Sequence, residues 1–315
     1  MPSSQGSPRT TVRIEGTMEI PEGYLDRIRA AFPALSFSTV HLNRDGLMND
    51  VVIVNNKWVF RFAKNEWAKR SLVKEARILS LVRAFVSVDV PLFEHQEEDL
   101  VVYRLIPGEP LQRNDILQLD VHLQNHLAEQ IGTFLHQLHS IPHQVLDERG
   151  IPLSDAVRSR EDWLGLFHGI ESELFPLLMT PAQDWVRRHF APVLEGRLSL
   201  DYEPTMIHGD LAAYHLLFHR EMYRLTGIID FGTAGRGDPA TDFALIIAAF
   251  GESFLRRMAP FYPQMSQALD RARFWAGTLE LQWALSGLRS HDLSWLVCHI
   301  GWARDVLPLG SPWAS

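Results

Sequence analysis

The sequence of 315 residues contains a single cysteine, Cys298, so an intramolecular disulfide is excluded. We interpret this as the composition of a protein from a reducing compartment, and Cys298, within an apolar run, as a packed thiol. The first residues lack the apolar segment of a signal peptide, and no apolar run approaches the roughly 20 residues that a membrane-spanning helix needs. We therefore expect a cytoplasmic protein without a membrane partner.

An excess of basic residues is also missing. Lys and Arg number 30 against 38 Asp and Glu, which gives a formal net charge of −8. Proteins that bind nucleic acid usually present a basic surface, so nucleic acid is not an expected partner. The acidic balance is compatible with a cationic ligand, and equally with a charge that only maintains solubility.

The length predicts more than one compact unit. Residues 1–16 are rich in Ser, Gly, Pro and Thr and predict a disordered tail. Strand patterns dominate residues 17–106, which we expect to form an N-terminal lobe, and helical patterns dominate residues 107–315, with the boundary near Pro107 and Gly108. We expect a monomer or a weak dimer.

Hydrophobic spacing and turn residues predict the individual elements. The predicted strands are residues 51–54, 58–62 and 100–106. The predicted helices are residues 22–32, 72–85, 121–139, 163–179, 181–194, 243–250, 271–288 and 293–303.

The segment 206–244 carries the most information about function. Two apolar β-prone runs are joined by a polar turn and predict a hairpin centred near Met222. The first run follows the loop that contains Asp210, and the second ends at Asp230. Antiparallel pairing places His215 opposite position 229 or 230, beside Asp230 and one loop from Asp210. Phosphoryl transfer needs such a cluster, with one carboxylate to orient and deprotonate a hydroxyl and separate ligands for Mg²⁺.

From about residue 42 to residue 250 the chain resembles the aminoglycoside phosphotransferase family, kinase-like enzymes that phosphorylate a hydroxyl of a small molecule. The motifs that carry the resemblance are His208-Gly209-Asp210, Asp230-Phe231-Gly232, Gly237-Asp238-Pro239 with Asp242, residues 138–142 and residues 106–111. The resemblance implies an α+β, protein-kinase-like, two-lobed fold with a small β-rich N-lobe and a larger, mainly helical C-lobe.

The resemblance also implies roles for residues of the two loops. Asp210 matches the catalytic carboxylate, and Asp230 matches the aspartate that binds Mg²⁺. His215 stands where most of the family has Asn, and the 2''-aminoglycoside and macrolide phosphotransferase branches carry His here. Its ring either contacts the metal or a phosphate, or has a structural role behind them.

In the first lobe, the resemblance implies a nucleotide site. The turn that contains Gly46 and Asn49 takes the place of the glycine-rich loop of kinases, although it has one glycine only. Arg61 takes the place of the phosphate-binding lysine, and Glu75 is its expected partner. Tyr103 to Ile106 would form the hinge that binds the purine through backbone groups. The sequence leaves the choice between ATP and GTP open.

Other residues are expected to support the site. His208 and Asp238 are predicted to brace the catalytic loop, and Asp242 to cap the following helix. The C-terminal helices offer carboxylates and aromatic rings that could bind a polyamine sugar. These weaker acceptor candidates are Glu252, Asp270, Trp275, Glu280, Trp283 and Asp292.

Together these features predict a Mg²⁺-dependent enzyme that moves the γ-phosphate of ATP or GTP to a hydroxyl of a small, cationic molecule. The favoured acceptor is an aminoglycoside antibiotic, which would make the chain a resistance enzyme. The alternatives are a macrolide, or a metabolic hydroxyl of the choline, homoserine or sugar type. An alternative of another class is a catalytically silent, kinase-like binding protein.

Overall fold

A computed structural model describes residues 13–14, 20–44, 46 and 48–291. These residues divide into two compact units. The first comprises the chain up to Ser80 and Pro91–Ile106, and the second comprises Leu81–Val90 and the chain from Pro107 onward. The predicted helix at 293–303, Asp292 and Cys298 lie outside the described residues.

A six-stranded sheet forms the first unit. Its spatial order is β1-β2-β3-β4-β6-β5, with β1 and β2 parallel and the other pairs antiparallel. The strands are β1 (Arg13–Ile14), β2 (Thr39–Asn43), β3 (Asn49–Val54), β4 (Trp58–Ala63), β5 (Phe93–Gln96) and β6 (Leu100–Arg104). Arg13 and Ile14, predicted to be part of a disordered tail, pair instead with Thr39 and Val40.

The central hairpin of this sheet follows the sequence prediction. Asn55 and Asn56 join β3 to β4 in left-handed conformations, with φ of 58° and 51°. Asparagine tolerates this region better than most residues, which suits a tight turn between twisted strands. The turn fixes the register that pairs Val51 with Arg61.

Two helices, α1 (Glu22–Ala31) and α2 (Glu66–Val82), flank the strands. Alternation along β4 places Phe60 and Phe62 in one apolar cluster with Ile28 of α1. Arg61, between them, points to the opposite face and reaches Glu75 of α2. The first helical turn of α2 begins six residues earlier than the predicted start at residue 72.

The second unit is mainly helical. Its helices are α3 (Arg113–Gln118), α4 (Val121–His139), α5 (His143–Glu148), α6 (Arg160–Gly169), α7 (Thr180–Leu194), α8 (Ala240–Phe250), α9 (Glu252–Arg257) and α10 (Leu269–Arg289). The apolar helix α8 packs against α10 in the interior. The predicted helix 163–179 is wrong in its second half, where a π-helical turn (Ile170–Leu174) and a 3-10 turn (Phe175–Leu177) follow α6.

Two small sheets position the loops of interest. One has the order β10-β9-β7 and contains β7 (Glu109–Pro110), β9 (Leu216–His219) and β10 (Arg224–Ile228). The other pairs β8 (Thr205–Ile207) with β11 (Gly235–Gly237). Leu216 pairs with Ile228, and the Ile229 N–H donates to the His215 carbonyl at 3.0 Å, so the predicted register of the hairpin is confirmed. No helix among the described residues is long and apolar enough to cross a membrane.

Candidate active site

The first acidic loop, residues 208–210, begins where β8 ends. Gly209 has a left-handed backbone with φ of 79°, and a Cβ there would lie 2.7 Å from Ser154 Oγ and 3.1 Å from the Thr233 carbonyl oxygen. Glycine is therefore required at this turn. The turn presents the Asp210 carboxylate with an exposed fraction of 36%, which makes it accessible to a substrate hydroxyl.

A buried carboxylate holds this loop from the interior side. Asp242, in the first turn of α8, accepts the backbone N–H groups of His208 and Gly209 at 2.9 and 2.8 Å. His139 Nε2 donates to the same carboxylate at 3.0 Å. Burial is the largest single influence and would raise the pKa of Asp242, but the hydrogen bond and charge of His139 and the contacts with His208 together outweigh it, and the pKa is lowered. Asp242 is therefore an anion that fixes the loop backbone.

This arrangement corrects two sequence predictions. Asp242 does not cap α8, because its oxygens are used by the loop. Asp238, predicted to brace the loop, instead accepts the Ala240 N–H at the start of α8 at 2.9 Å and two hydrogen bonds from Arg271 of α10, at 2.6 and 3.0 Å. The two aspartates thus have the opposite roles from those that the sequence suggested.

His208 is a neutral bracing residue, as predicted. Its Nε2 lies 3.1 Å from the Ile229 carbonyl oxygen, so this nitrogen carries the proton and donates, and Nδ1 accepts the Asp210 N–H at 3.3 Å. Burial lowers the pKa of His208 to about 4, which agrees with a ring that has no room for a second proton. The ring thus ties the Asp210 loop to the strand that leads to Asp230.

The second acidic loop begins after β10. Asp230 has a left-handed backbone with φ of 65°, a conformation that aspartate adopts more readily than most residues. Phe231 is buried and lies against the His208 ring, with centroids 4.5 Å apart. Because Phe231 anchors the loop on one side, the Asp230 carboxylate is left 45% exposed on the other.

His215 connects the two loops. Its Nδ1 lies 2.7 Å from the Asp210 carbonyl oxygen, and because a carbonyl only accepts, Nδ1 carries a proton and donates. Nε2 faces Asp230 Oδ2 at 3.4 Å. When Nε2 carries no proton, these two atoms are electron-pair donors that suit a bound cation between them.

The fit to magnesium can be judged from this donor set. Among the described residues, no three His, Cys, Asp or Glu side chains form a ready metal site. Mg²⁺ usually takes one or two carboxylates and completes its shell with water and substrate phosphates. The Asp230 carboxylate and His215 Nε2 therefore fit as a partial ligand set, although imidazole is a less usual partner for this ion.

The surroundings of Asp210 raise the pKa of its carboxyl. Burial is the largest cause that raises the pKa of Asp210, and the His215 ring opposes it. The neighbouring Asp230 and Asp242 carboxylates add to the rise. A raised pKa makes a carboxylate a better proton acceptor, which is the property that a general base needs.

The first unit contains the predicted cation and its partner. Arg61 Nη1 donates to Glu75 Oε1 at 2.8 Å, and both side chains are buried, with exposed fractions of 8% and 0%. The predicted pair is therefore formed. Its low exposure fixes the guanidinium more firmly than an exposed ion pair would.

A lysine that the sequence analysis missed holds the turn with Gly46. Lys64 Nζ donates to the carbonyl oxygens of Arg44 and Gly46 at 2.9 and 2.5 Å, and lies 3.2 Å from the buried carboxylate of Asp50. Asn49, the other predicted residue of this turn, is buried at the start of β3. The signal in the sequence was an isolated lysine directly after the strand, which resembles any surface lysine.

The predicted hinge is only partly available for a ligand. Tyr103 is buried in the inner strand β6, where it pairs with both Val59 and Phe93. The Leu105 N–H donates to the Lys57 carbonyl at 2.9 Å. Ile106 lies beyond the strand and is buried. A backbone contact with a purine is thus better suited to Ile106 than to Tyr103.

The predicted acceptor residues do not form one group. Glu252 is 1% exposed and receives two hydrogen bonds from Arg273, at 3.0 and 2.7 Å, and one from Arg256 at 3.1 Å. Asp270, 45% exposed, also pairs with Arg273. Trp275 is buried edge-to-face against Trp163. Glu280 and Trp283 are half-buried on α10.

Because of these contacts, Glu252 and Trp275 are structural residues of the helical interior. The sequence offered them as acceptor ligands because carboxylates and tryptophans are the right chemical types. Their arginine and aromatic partners lie 21 and 112 residues away along the chain and could not be inferred from spacing. Of the five candidates that the structure describes, Asp270, Glu280 and Trp283 keep surface that a ligand could reach.

Tyr214 is a further residue that the sequence analysis missed. It lies in the 3-10 turn Ala213–His215 and its ring is 53% exposed. Its centroid lies 4.4 Å from that of His215, at an interplanar angle of 75°. Partial burial is the largest cause that raises the pKa of Tyr214 to about 12, and the Asp210 and Asp230 carboxylates add to the rise. The phenol is therefore a neutral hydrogen-bond donor.

Known proteins match this chain over most of its length. The model of the phosphotransferase enzyme family, abbreviated APH, matches residues 39–275. Viomycin phosphotransferase of Streptomyces vinaceus is 27% identical over 293 residues, which cover 87% of this chain and 96% of the relative.

Solved structures of phosphotransferases are also similar to this chain. The GDP and kanamycin complex of the phosphotransferase APH(2'')-IIIa is 27% identical, with a TM-score of 0.79 over 89% of this chain and 96% of that chain. The macrolide 2'-phosphotransferase type I is 20% identical, with a TM-score of 0.71 over 91% of this chain and 100% of that chain, a likeness of fold. The predicted α+β, kinase-like fold is confirmed.

Proposed function

Because the chain belongs to the phosphotransferase enzyme family, we propose that it moves the γ-phosphoryl group of ATP or GTP to a hydroxyl of an aminoglycoside antibiotic. The chain is an enzyme that transfers phosphate to hydroxyl groups, and the predicted family is confirmed. The acceptor, the nucleotide and the metal are the proposal. The observation that carries it is the pair of exposed carboxylates, Asp210 and Asp230, on loops fixed by Asp242, His208 and His215.

Asp210 is the proposed general base. Its carboxylate accepts a hydrogen bond from the acceptor hydroxyl, aims the hydroxyl oxygen at the γ-phosphorus and takes the proton as the new O–P bond forms. The bond between the γ-phosphorus and the bridging oxygen breaks, and the nucleoside diphosphate leaves. Asp242 holds the backbone of this loop in place through two N–H groups, so the base is positioned before the substrate arrives.

Asp230 and His215 are the proposed metal-binding residues. Together they would hold Mg²⁺, which would supply positive charge to neutralise the phosphates during the transfer. His215 contributes Nε2 because the Asp210 carbonyl fixes its other nitrogen as the protonated one. The same hydrogen bond couples the base loop to the metal loop.

In the first unit, Arg61 is the proposed phosphate ligand, since Glu75 holds its guanidinium in place and a guanidinium can contact phosphate oxygens bidentately. The turn with Gly46 and Asn49 is the proposed cover of the phosphates, held by Lys64. The backbone of Ile106 is the proposed purine contact, and Tyr103 supports it from the strand. Solved relatives bound to GDP support a nucleotide co-substrate.

An aminoglycoside is the favoured acceptor for two reasons. A relative of 27% identity was solved with kanamycin, and the net charge of −8 suits a cationic substrate. Viomycin belongs in the same test, because viomycin phosphotransferase is equally similar over nearly its whole length. A macrolide is kept as a comparison acceptor.

A transfer screen tests the proposal. Purified protein with Mg²⁺ and either ATP or GTP is offered kanamycin, gentamicin, viomycin, a macrolide and choline, and the phosphorylated product is detected by mass spectrometry. We expect phosphorylated kanamycin, with loss of about 10²–10⁴-fold in turnover for Asp210→Asn. Phosphorylation of another acceptor alone would replace the proposed substrate. Bound nucleotide without transfer to any acceptor would indicate a silent binding protein instead.

A further inference from the structure

Tyr214 occupies an unusual position for a large exposed ring. Its neighbours Leu211, Ala212 and His215 are all buried, whereas the Tyr214 ring is 53% exposed. A single exposed aromatic residue on a protein surface needs no explanation. This one lies within the loop that runs from the proposed base to the proposed metal residue, where the reacting groups meet.

The Tyr214 ring is held in place by a neighbouring ring, whereas its hydroxyl group makes no hydrogen bond to the described residues. His215 packs against it at 4.4 Å and is itself fixed by the Asp210 carbonyl. Among the described residues, the Tyr214 hydroxyl has no hydrogen-bond partner. An ordered ring with an open surface has little rotational freedom left to lose when a ligand binds.

The charge around the ring favours a cation. Asp210 and Asp230 carry exposed carboxylates on either side of His215. An aromatic face beside carboxylates attracts a protonated amine or guanidinium through the ring quadrupole and through the surrounding negative potential. An anionic or apolar group would gain less at this position.

Another carboxylate proposed for the acceptor is already neutralised. Glu252 is buried and bound by Arg273 and Arg256, so its charge is compensated within the helical interior. Beside Asp270, Glu280 and Trp283, which keep accessible surface, residues near the catalytic loop can therefore contribute to recognition of a cationic acceptor. Tyr214 is an exposed aromatic residue there.

We propose that Tyr214 binds the acceptor, with its ring against a protonated amino or guanidino group of the substrate, beside Asp210. This inference rests on the proposed function, because it needs a small-molecule acceptor whose hydroxyl reaches Asp210. It adds a residue that selects for charge on the acceptor, in a turn where the fold itself requires no aromatic side chain.

Two substitutions separate the ring from the hydroxyl. Tyr214→Phe keeps the ring, and Tyr214→Leu keeps apolar bulk without the ring. Tyr223→Leu is the matched control, since Tyr223 is a 43% exposed tyrosine in the turn between β9 and β10. We expect the acceptor KM to rise about ten-fold for Tyr214→Leu, within the range of measured cation–π contributions. Tyr214→Phe and the control should stay within about three-fold of wild type.

Further measurements exclude a merely structural role. The nucleotide KM and the thermal unfolding midpoint should change little in Tyr214→Leu, because the ring supports no hydrogen bond of the loop. The KM values for kanamycin and N-acetylated kanamycin should also differ less for Tyr214→Leu than for wild type. Acetylation removes the positive charge that the ring is proposed to select. If a variant does not turn over, acceptor binding measured by calorimetry gives the same comparison.

The outcomes are distinguishable. An unchanged acceptor KM for Tyr214→Leu, or equal losses for the Phe and Leu variants, would overturn the ring assignment while the proposed function stands. Wild-type protein that phosphorylates no acceptor would overturn the proposed function and this inference with it. A ring-dependent loss confined to the charged acceptor supports the proposal.

Discussion

Replacement of Asp242 should lower the free energy of unfolding, because this residue connects the catalytic loop to the interior of the second unit. The carboxylate is fully buried and accepts three hydrogen bonds, from the His208 and Gly209 N–H groups and from His139 Nε2. His139 in turn lies 3.1 Å from the Tyr262 hydroxyl, which leaves its ring fixed at both nitrogens. Asp242→Ala removes the acceptor and leaves all three donors without a partner.

The size of the effect follows from burial. A buried donor without a partner costs about 1–3 kcal/mol, and loss of one member of a buried charged network costs about 3–5 kcal/mol. The substitution also removes a buried negative charge, which offsets part of the cost of the three unpaired donors. We therefore expect Asp242→Ala to lower the free energy of unfolding by about 3–5 kcal/mol. Asp242→Asn keeps one oxygen acceptor, so its loss should be smaller.

Urea unfolding, followed by fluorescence, measures these differences. Asp184→Asn is a suitable control, because Asp184 is about half exposed on α7 and its ion pair within the described part of the chain is with Arg187, three residues on. Its effect should remain within about 0.5 kcal/mol. Turnover of Asp242→Asn at a temperature where it is fully folded should also fall, since the base loses the backbone contact that positions it. If Asp242→Ala unfolds at the same urea concentration as the control, the bracing role is refuted.

Three further predictions test other contacts of the site. Turnover of His215→Asn should exceed that of His215→Ala at limiting Mg²⁺, because Asn offers an oxygen ligand; equal defects at every Mg²⁺ concentration would mean that His215 only braces the loop. Glu252→Gln should lower unfolding stability by about 3–5 kcal/mol through its pair with Arg273 while the acceptor KM stays constant, and a raised KM in folded protein would restore Glu252 to the acceptor site. The pKa of His208 falls to about 4 on folding, so its stabilising effect is complete above about pH 6.5 and declines as the pH falls towards 4. The free energy of unfolding should therefore decrease with falling pH in this range, and less steeply in His208→Gln. An equal slope in the two proteins would contradict the prediction.

The catalytic loops could be predicted because their information is local. Asp210, His215 and Asp230 lie within 21 residues around one hairpin, whose polar turn and flanking apolar runs predict the pairing to within the one-residue shift that the structure shows between Leu225 and Gly227. The register alone brings His215 to the loop of Asp230. The predicted cation and its partner, Arg61 and Glu75, are similarly close in the chain, on a strand and the helix that follows it.

The roles of Asp238 and Asp242 could not be predicted, because both depend on distant partners. Asp242 meets a loop 33 residues earlier and a histidine 103 residues earlier in the chain. A position near a helix start suggests a cap, and this local signal was outweighed by the two N–H groups that the loop leaves without another acceptor. The N–H of Ala240 at the start of α8 instead donates to Asp238, whose second partner is Arg271 of α10.

The acceptor side shows why residue type is a weak guide to specificity. Glu252 and Trp275 have the right chemistry for a cationic sugar. In the interior, however, Arg273 binds Glu252 and Trp163 packs against Trp275. The sequence did not indicate a role for Tyr214, because a single tyrosine inside a motif forms no pattern by itself. Its proposed role in acceptor binding rests on its exposure beside buried neighbours. Acceptor specificity in this enzyme therefore depends on which polar and aromatic groups the fold leaves unsatisfied, and that depends on tertiary partners that no spacing rule contains.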